Sequence, residues 1–236
     1  MPVKNFINNY KILIFDMGKT FMFGGDRFGA SQDYGETYRS FGGCKLSNNE
    51  IHELINHIYS TLLIISREPD YYNNFPTVRE FMDIDNRFMI YDTYEKDLLE
   101  QVFAYHECGS VPDECKNVLL KLSMSHRLGL ISNVWCNSLY FSNKLKSENI
   151  HDIFEHTIFS SDHGSVKPSP KLFNMAAGHF GVPTSEILYI GDNYKRDVIG
   201  SMNAGMKSVW VNKNDEMYNG VKPDFEIKHI RELVES

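Results

Sequence analysis

Residues 12–20, with the sequence ILIFDMGKT, decide the fold. Four large apolar residues in a row predict a β-strand that is buried on both faces, as strands of parallel sheets are. The strand then ends abruptly in polar and turn-forming residues. Because ligands of such sheets bind just beyond the carboxyl ends of the strands, we expect the carboxylate of Asp16 to lie in a functional site.

Composition excludes several classes of protein. The chain has 236 residues, of which 42% are hydrophobic, so it can bury one large core together with a smaller inserted domain. The formal net charge of -7 argues against general binding of nucleic acid or anionic membranes, since both need a basic face. The four cysteines lack the spacing of a zinc site or a disulfide framework. With no signal peptide and no long apolar run, the chain is expected to be soluble and cytoplasmic.

The region from residue 26 to 110 has helical patterns only. Ser47 and Thr77 each begin a Ser/Thr-x-x-Glu capping box that is followed by apolar residues at helical spacing. A third helix is predicted over residues 94–106. We therefore predict that residues 26–110 form an all-helical insert, and that residues 1–25 and 111–236 together form the core domain.

Strands and helices alternate after this region. Short apolar runs predict buried strands at residues 128–131, 157–159, 187–190, 209–211 and 225–227, with helices over 169–180 and 195–204 between them. This alternation is typical of βαβ units. It predicts an α/β fold with a Rossmann-like, three-layer parallel sheet.

Polar side chains follow four of the predicted strands. Because the carboxyl ends of parallel strands meet at one edge of a sheet, these side chains are expected to converge. Carboxylate oxygens favour Mg2+ over softer metals, and an ammonium group beside a hydroxyl suits a phosphate. The converging residues are Asp16, Ser132, Asn133, Lys167, Asp192 and Asp197.

Four motifs around these residues resemble those of the haloacid dehalogenase-like (HAD) hydrolase superfamily. They are DMGKT from Asp16, LGLISN ending at Ser132 and Asn133, VKPSPKLF around Lys167, and GDNYKRD from residue 191. The position of the helical region between the first two motifs is similar to that of a C1 cap. The resemblance implies a phosphatase that acts on a small phosphorylated substrate through an aspartyl-phosphate intermediate.

The resemblance also implies a role for each residue. Asp16 would be the nucleophile, and Ser132, Asn133 and Lys167 would bind the transferring phosphoryl group. Mg2+ would be held by Asp16, by Asp192 and by the backbone carbonyl of Gly18. Asp197 and Thr20 would contact these ligands or the metal-bound water without binding the metal themselves.

One departure from the family pattern bears on activity. Family phosphatases usually carry a second Asp two residues after the nucleophile, as a general acid and base, and Gly18 stands there. Since such catalysis contributes about 10² to 10⁴-fold, slow turnover limited by dephosphorylation is the expected consequence.

The sequence leaves other interpretations open. The chain could be an idle phosphate-binding or interaction protein, or a hydrolase of the dehalogenase or phosphonatase type. A phosphonatase needs a Schiff-base lysine from the insert, which offers only Lys45 and Lys96. Substrate identity, and the choice between a monomer and a homodimer, also remain open.

Overall fold

Within residues 3–234, which the computed structural model describes, six strands form one parallel sheet. The strand order is β3-β2-β1-β4-β5-β6, which confirms the predicted Rossmann-like α/β fold. All neighbouring strands are parallel. The strands are β1 (Ile12–Phe15), β2 (Arg127–Ser132), β3 (Phe154–Phe159), β4 (Ile187–Gly191), β5 (Lys207–Val211) and β6 (Phe225–Ile227).

Strand β1 lies inside the sheet, with both of its faces and both of its edges covered. It pairs with β2 on one side and β4 on the other, with Phe15 opposite Leu130 and Ile190. Successive side chains enter opposite cores: Leu13 belongs to one hydrophobic cluster and Ile14 to the other. The strands that follow β1 in sequence first add on one side of it (β2 and β3) and then on the other (β4 to β6). Such a reversal of strand order leaves a crevice beyond the carboxyl end of β1.

Helices cover both faces of the sheet and fill the region predicted as an insert. The predicted third helix is confirmed with one more residue at each end, and α1 was not predicted. The helices are α1 (Tyr34–Ser40), α2 (Asn48–Ile65), α3 (Val78–Ile84), α4 (Thr93–Glu107), α5 (Asp113–Ser123), α6 (Ser138–Ser147), α7 (Pro170–Phe180) and α8 (Gly200–Asn203). Short 3₁₀ segments lie at Val3–Asn9, Pro69–Tyr71, Asn86–Phe88, Ser160–Asp162, Thr184–Glu186 and Ile230–Leu233.

Both predicted capping boxes are present. The Ser47 hydroxyl accepts from the backbone N–H of Glu50, whose carboxylate accepts from the Ser47 N–H. Thr77 and Glu80 make the same reciprocal pair at the start of α3. Each box satisfies two backbone donors that the first turn of a helix leaves unpaired, so these helices begin where the sequence predicts.

The predicted helix over residues 195–204 has a different form. It begins as a π-helical turn, Tyr194–Ile199, and continues as α8. No helix among residues 3–234 is long and apolar enough to cross a bilayer.

The segment between α2 and α3 joins the helical region to the loops at the sheet edge. The backbone N–H of Phe75 donates to the Gly164 carbonyl (3.0 Å), and the Val166 N–H donates to the Tyr72 carbonyl (2.9 Å). The Ser169 hydroxyl donates to Oδ1 of Asn73 (2.6 Å). Residues 72–75 therefore lie against the loop that carries Lys167.

Candidate active site

Asp16 is the first residue after β1, and its carboxylate is held on both oxygens. Oδ1 accepts from Lys167 Nζ at 2.6 Å, and Oδ2 accepts from the Thr20 hydroxyl at 3.1 Å. The Asp16 backbone N–H continues the sheet ladder by donating to the Ile190 carbonyl (2.8 Å). Burial raises the pKa of Asp16, and the adjacent Lys167 ammonium opposes that rise and favours the ionised form.

Lys167 is 1% exposed, and its ammonium joins two strand ends. Nζ lies 2.6 Å from Asp16 Oδ1, 2.7 Å from Asp197 Oδ1 and 3.0 Å from the Ile131 carbonyl. Although burial disfavours a charge, the two carboxylates raise the pKa of Lys167. The buried ammonium is therefore retained as a cation between two anions.

Asp197 approaches the end of β4 because residue 191 is a glycine. A Cβ at Gly191 would lie 2.5 Å from the Cβ of Asp197, so no larger residue fits beside it. Asp197 Oδ2 accepts from the Asn193 backbone N–H, and Oδ1 accepts from the Tyr189 hydroxyl. Both oxygens of Asp197 are thus engaged within the protein.

Asp192 differs from Asp197, since its carboxylate has no hydrogen bond or ion pair with the residues the structure describes. Burial, followed by the charges of Asp16 and Asp197, raises the pKa of Asp192 to about 8. One carboxylate oxygen from each of Asp16, Asp192 and Asp197 lies within 4.8 Å of the other two. A set of oxygen ligands with such mutual repulsion suits a hard divalent cation.

Asn133 and Ser132 follow β2. The Asn133 side chain holds the backbone of Lys167, because Oδ1 accepts from the Lys167 N–H (2.8 Å) and Nδ2 donates to the Lys167 carbonyl (3.2 Å). Ser132 is 2% exposed and lines the same cavity as Asp16. All six of the sequence-predicted polar side chains therefore lie together at one edge of the sheet.

Gly18 lies in the loop after β1 and is exposed. No atom lies within 4 Å of the position that a Cβ would take there. The space beside the nucleophile is therefore open at the position where family phosphatases carry their second Asp.

The strand ends open into a cavity of about 480 Å³, a size suited to a small molecule. The helical region supplies part of its wall, including Tyr59, Arg67, Tyr72 and Glu107. Lys45 and Lys96, the lysines considered for a Schiff base, do not line it. They are paired instead with Asp92 (2.9 Å) and Asp83 (2.8 Å) respectively.

Glu107, at the end of α4, binds the loop that follows Asn133. Its carboxylate accepts from the backbone N–H groups of Trp135 (2.7 Å) and Cys136 (3.2 Å). Burial raises the pKa of Glu107 to about 8, although these hydrogen bonds act in the opposite direction. The carboxylate thus fixes the cavity loop to the helical region.

Several residues of the site were not predicted from the sequence. Tyr189 is buried behind the cavity, with its hydroxyl 2.8 Å from Lys167 Nζ, and it carries one local signal as a lone hydroxyl in an apolar strand. Glu107, Arg67, Lys195 and Arg196 carry no local signal, because their place in the cavity depends on how the helical region packs over the sheet.

The sequence is similar to known proteins over most of its length. A model of the family described as haloacid dehalogenase-like hydrolase matches residues 32–211, a range that begins after Asp16. The glyceraldehyde 3-phosphate phosphatase of Pyrococcus abyssi is 32% identical over 175 residues, which cover 69% of this chain and 71% of that protein. The phosphoserine phosphatase of Thermus thermophilus is 34% identical over 38% of this chain and 36% of its own.

Solved structures give the same picture. A HAD phosphatase from Thermococcus onnurineus has a TM-score of 0.62 at 26% identity, covering 94% of this chain and 95% of that one. A 2-haloacid dehalogenase from Pseudomonas syringae has a TM-score of 0.65 at 22% identity, covering 95% of this chain and 96% of its own, and shows the shared fold alone. On the family match and the relative from Pyrococcus abyssi, this chain belongs to the haloacid dehalogenase-like hydrolase family.

Proposed function

We propose that the protein is a Mg2+-dependent phosphatase of a small phosphorylated metabolite, working through an aspartyl-phosphate on Asp16. The observation that carries the proposal is the cluster of Asp16, Asp192 and Asp197 beside the buried Lys167 ammonium. Relatives that are named phosphatases of glyceraldehyde 3-phosphate and phosphoserine support a small phosphomonoester as the substrate.

The residues at the strand ends fit a magnesium ion. Asp16, Asp192 and the backbone carbonyl of Gly18 would hold it, since oxygen ligands are the ones that Mg2+ prefers. Because the Asp197 carboxylate is already bonded to Lys167 and Asn193, we assign it to the support of metal-bound water. When bound, Mg2+ would neutralise charge on the transferring phosphoryl group.

The remaining steps belong to the side chains. An Asp16 oxygen attacks phosphorus, the bond from phosphorus to the leaving oxygen breaks, and that oxygen takes a proton from solvent. Lys167 and Ser132 stabilise the phosphoryl oxygens, and Asn133 acts by fixing the Lys167 backbone. Water then attacks the same phosphorus, which releases phosphate and restores Asp16.

The second half of the reaction is expected to be slow. Gly18 offers no group that could take a proton from the attacking water, and this step is the same for every substrate. The time course should show a rapid burst of leaving group followed by a slower steady rate.

The test is a Mg2+-dependent screen of small phosphomonoesters with wild type and Asp16→Asn. Wild type should release phosphate and accumulate an acid-stable phosphoprotein, and Asp16→Asn should do neither. Asp152→Asn, at a side chain that is 98% exposed, is the matched control and should behave as wild type. Absence of turnover and phosphoprotein in wild type at any divalent metal would refute the proposal and favour a binding protein.

A further inference from the structure

We propose that the leaving group of the substrate carries a second negative charge, a carboxylate or a phosphate, which is bound by Arg67 and Lys195, two basic residues of the cavity wall. This inference rests on the proposed function, because it names the substrate class of the same cavity. It concerns the part of the cavity that lies beyond the phosphoryl-transfer residues.

The cavity holds more positive charge than phosphoryl transfer uses. Besides Lys167, four basic side chains line it: Lys19, Arg67, Lys195 and Arg196. Among the residues that the structure describes, none of these four side chains has an ion-pair or hydrogen-bond partner.

Carboxylates beside the cavity offset part of this positive charge. Asp16 is paired with Lys167, and Asp26 and Glu107 are the other acidic side chains that line the wall. Asp192 and Asp197, near the end of β4, also act electrostatically on Arg196. Cations that no carboxylate offsets attract anions to the cavity.

Two of the four cations, Lys19 and Arg196, are associated with carboxylates at or near the transfer centre. Lys19 and Arg196 act electrostatically on Asp26, and Arg196 acts on Asp16 as well. Both also flank the transfer centre in sequence, since Lys19 follows the nucleophile loop and Arg196 precedes Asp197. Arg67 acts electrostatically on the Tyr59 hydroxyl, and among residues 3–234 neither Arg67 nor Lys195 forms an ion pair with a carboxylate.

Tyr72 contacts the backbone of Arg67 and lies near the Lys195 ammonium. The Tyr72 hydroxyl donates to the Arg67 backbone carbonyl at 3.2 Å, and Lys195 Nζ lies 5.6 Å from the centre of the Tyr72 ring. Arg67 stands two residues after the end of α2, whereas Lys195 lies in the π-helical turn shortly after Asp192. Both residues line the cavity.

These side chains have the chemistry to bind an anion. A guanidinium group forms paired hydrogen bonds with carboxylate or phosphate oxygens, and an ammonium group adds a compact charge. Since Arg67 and Lys195 line the same cavity as Asp16, and that cavity holds only about 480 Å³, the second anion should be only a few bonds away from the phosphoryl group. A short phosphorylated acid, or a short bisphosphate, meets this condition.

Three phosphomonoesters of equal length test the charge preference: 2-phosphoglycolate, 2-hydroxyethyl phosphate and O-phosphoethanolamine. They differ in carrying a carboxylate, a neutral hydroxyl or an ammonium group. Because a hydrogen bond to a charged group contributes about 1.5–3 kcal/mol, kcat/KM should fall at least about 10-fold from the first to the last. Ethylene glycol bisphosphate distinguishes a phosphate subsite from a carboxylate subsite by ranking above or below 2-phosphoglycolate.

The variants Arg67→Gln and Lys195→Gln assign the preference to these residues. Each should reduce the kcat/KM ratio of 2-phosphoglycolate to 2-hydroxyethyl phosphate, chiefly through KM for 2-phosphoglycolate. Lys146→Gln removes an exposed charge outside the cavity and should keep the wild-type ratio. A wild-type ratio in both cavity variants would overturn the assignment.

Calorimetric titration of Asp16→Asn with the same esters separates the two proposals. Preferential binding of 2-phosphoglycolate without turnover in wild type would refute the phosphatase and support the anionic subsite. Equal turnover of the three esters, or a preference for O-phosphoethanolamine, would refute the subsite and leave the phosphatase intact.

Discussion

Replacing Gly18 by aspartate should restore the proton transfer that this chain lacks. The substitution is structurally mild, because no atom lies within 4 Å of the new Cβ and the position is exposed. The introduced carboxyl group would stand two residues after Asp16, where it can protonate the leaving oxygen and then accept a proton from the attacking water.

The expected gain follows from that exposure. General acid–base catalysis contributes about 10² to 10⁴-fold, and most when the pKa of the group is near the working pH. In solvent an aspartate side chain has a pKa of about 3.9, and the exposure of position 18 favours a value nearer to this than to neutrality, so we expect the lower end of the range. A gain of about 10²-fold corresponds to about 2.7 kcal/mol of activation free energy.

Pre-steady-state kinetics with a chromogenic aryl phosphate measure the gain. Wild type should give a burst close to one equivalent and then a slow linear phase, whereas Gly18→Asp should lose the burst and accelerate the linear phase. Gly18→Asn is the matched control, since it has nearly the same size and no ionisable group, and it should not accelerate. An unchanged steady rate in a folded Gly18→Asp protein would refute the reasoning.

Three further predictions concern the support of the site. Lys167→Met leaves two buried carboxylates facing each other and should lower the free energy of unfolding by about 3–5 kcal/mol, measured by urea titration in EDTA. Adding Asp197→Asn to this variant should recover part of the loss, and a loss below about 1 kcal/mol in Lys167→Met would contradict the prediction. Asn133→Ala removes both hydrogen bonds to the Lys167 backbone and should lower the free energy of unfolding by about 1–3 kcal/mol in the same titration. It should also lower kcat, and an unchanged kcat would argue against a positioning role. The pKa of Glu107 is raised to about 8 on folding, so the native state holds a proton that the unfolded chain releases near pH 4.5. The free energy of unfolding should therefore fall as pH rises from about 4.5 to 8. This fall should be smaller in Glu107→Gln, and equal slopes for the two proteins would refute the assignment.

Local pattern was enough to predict the elements that position the transfer centre. The apolar run of β1 is continuous because both faces are buried, and the capping boxes at Ser47 and Thr77 satisfy their own helix starts. The polar residues at strand ends converge because parallel strands share one carboxyl edge. These features depend on short stretches of sequence and on one topological rule.

The features that the sequence did not predict depend on packing between segments that are distant in the chain. Helix α1 was missed because its sequence, YGETYRS, carries a glycine and little apolar periodicity, yet Tyr34 and Tyr38 are buried against other helices. Arg67 and Lys195 stand 128 positions apart, and only the fold of the helical region over the sheet brings them to one cavity. Such contacts leave no periodic trace in the chain.

The hydrogen bonds of residues 72–75 connect the helical region to the loop that carries Lys167. An outward movement of the helical region would have to break the bonds from Tyr72, Asn73 and Phe75 to residues 164–169, or pull that loop with it. In the second case the Lys167 ammonium would leave Asp16, and the transfer centre would come apart as the entrance widened. While these hydrogen bonds hold, the helical region and the charge-neutralising lysine are thus mechanically linked, and only their rupture would let the helical region move without disturbing the transfer centre.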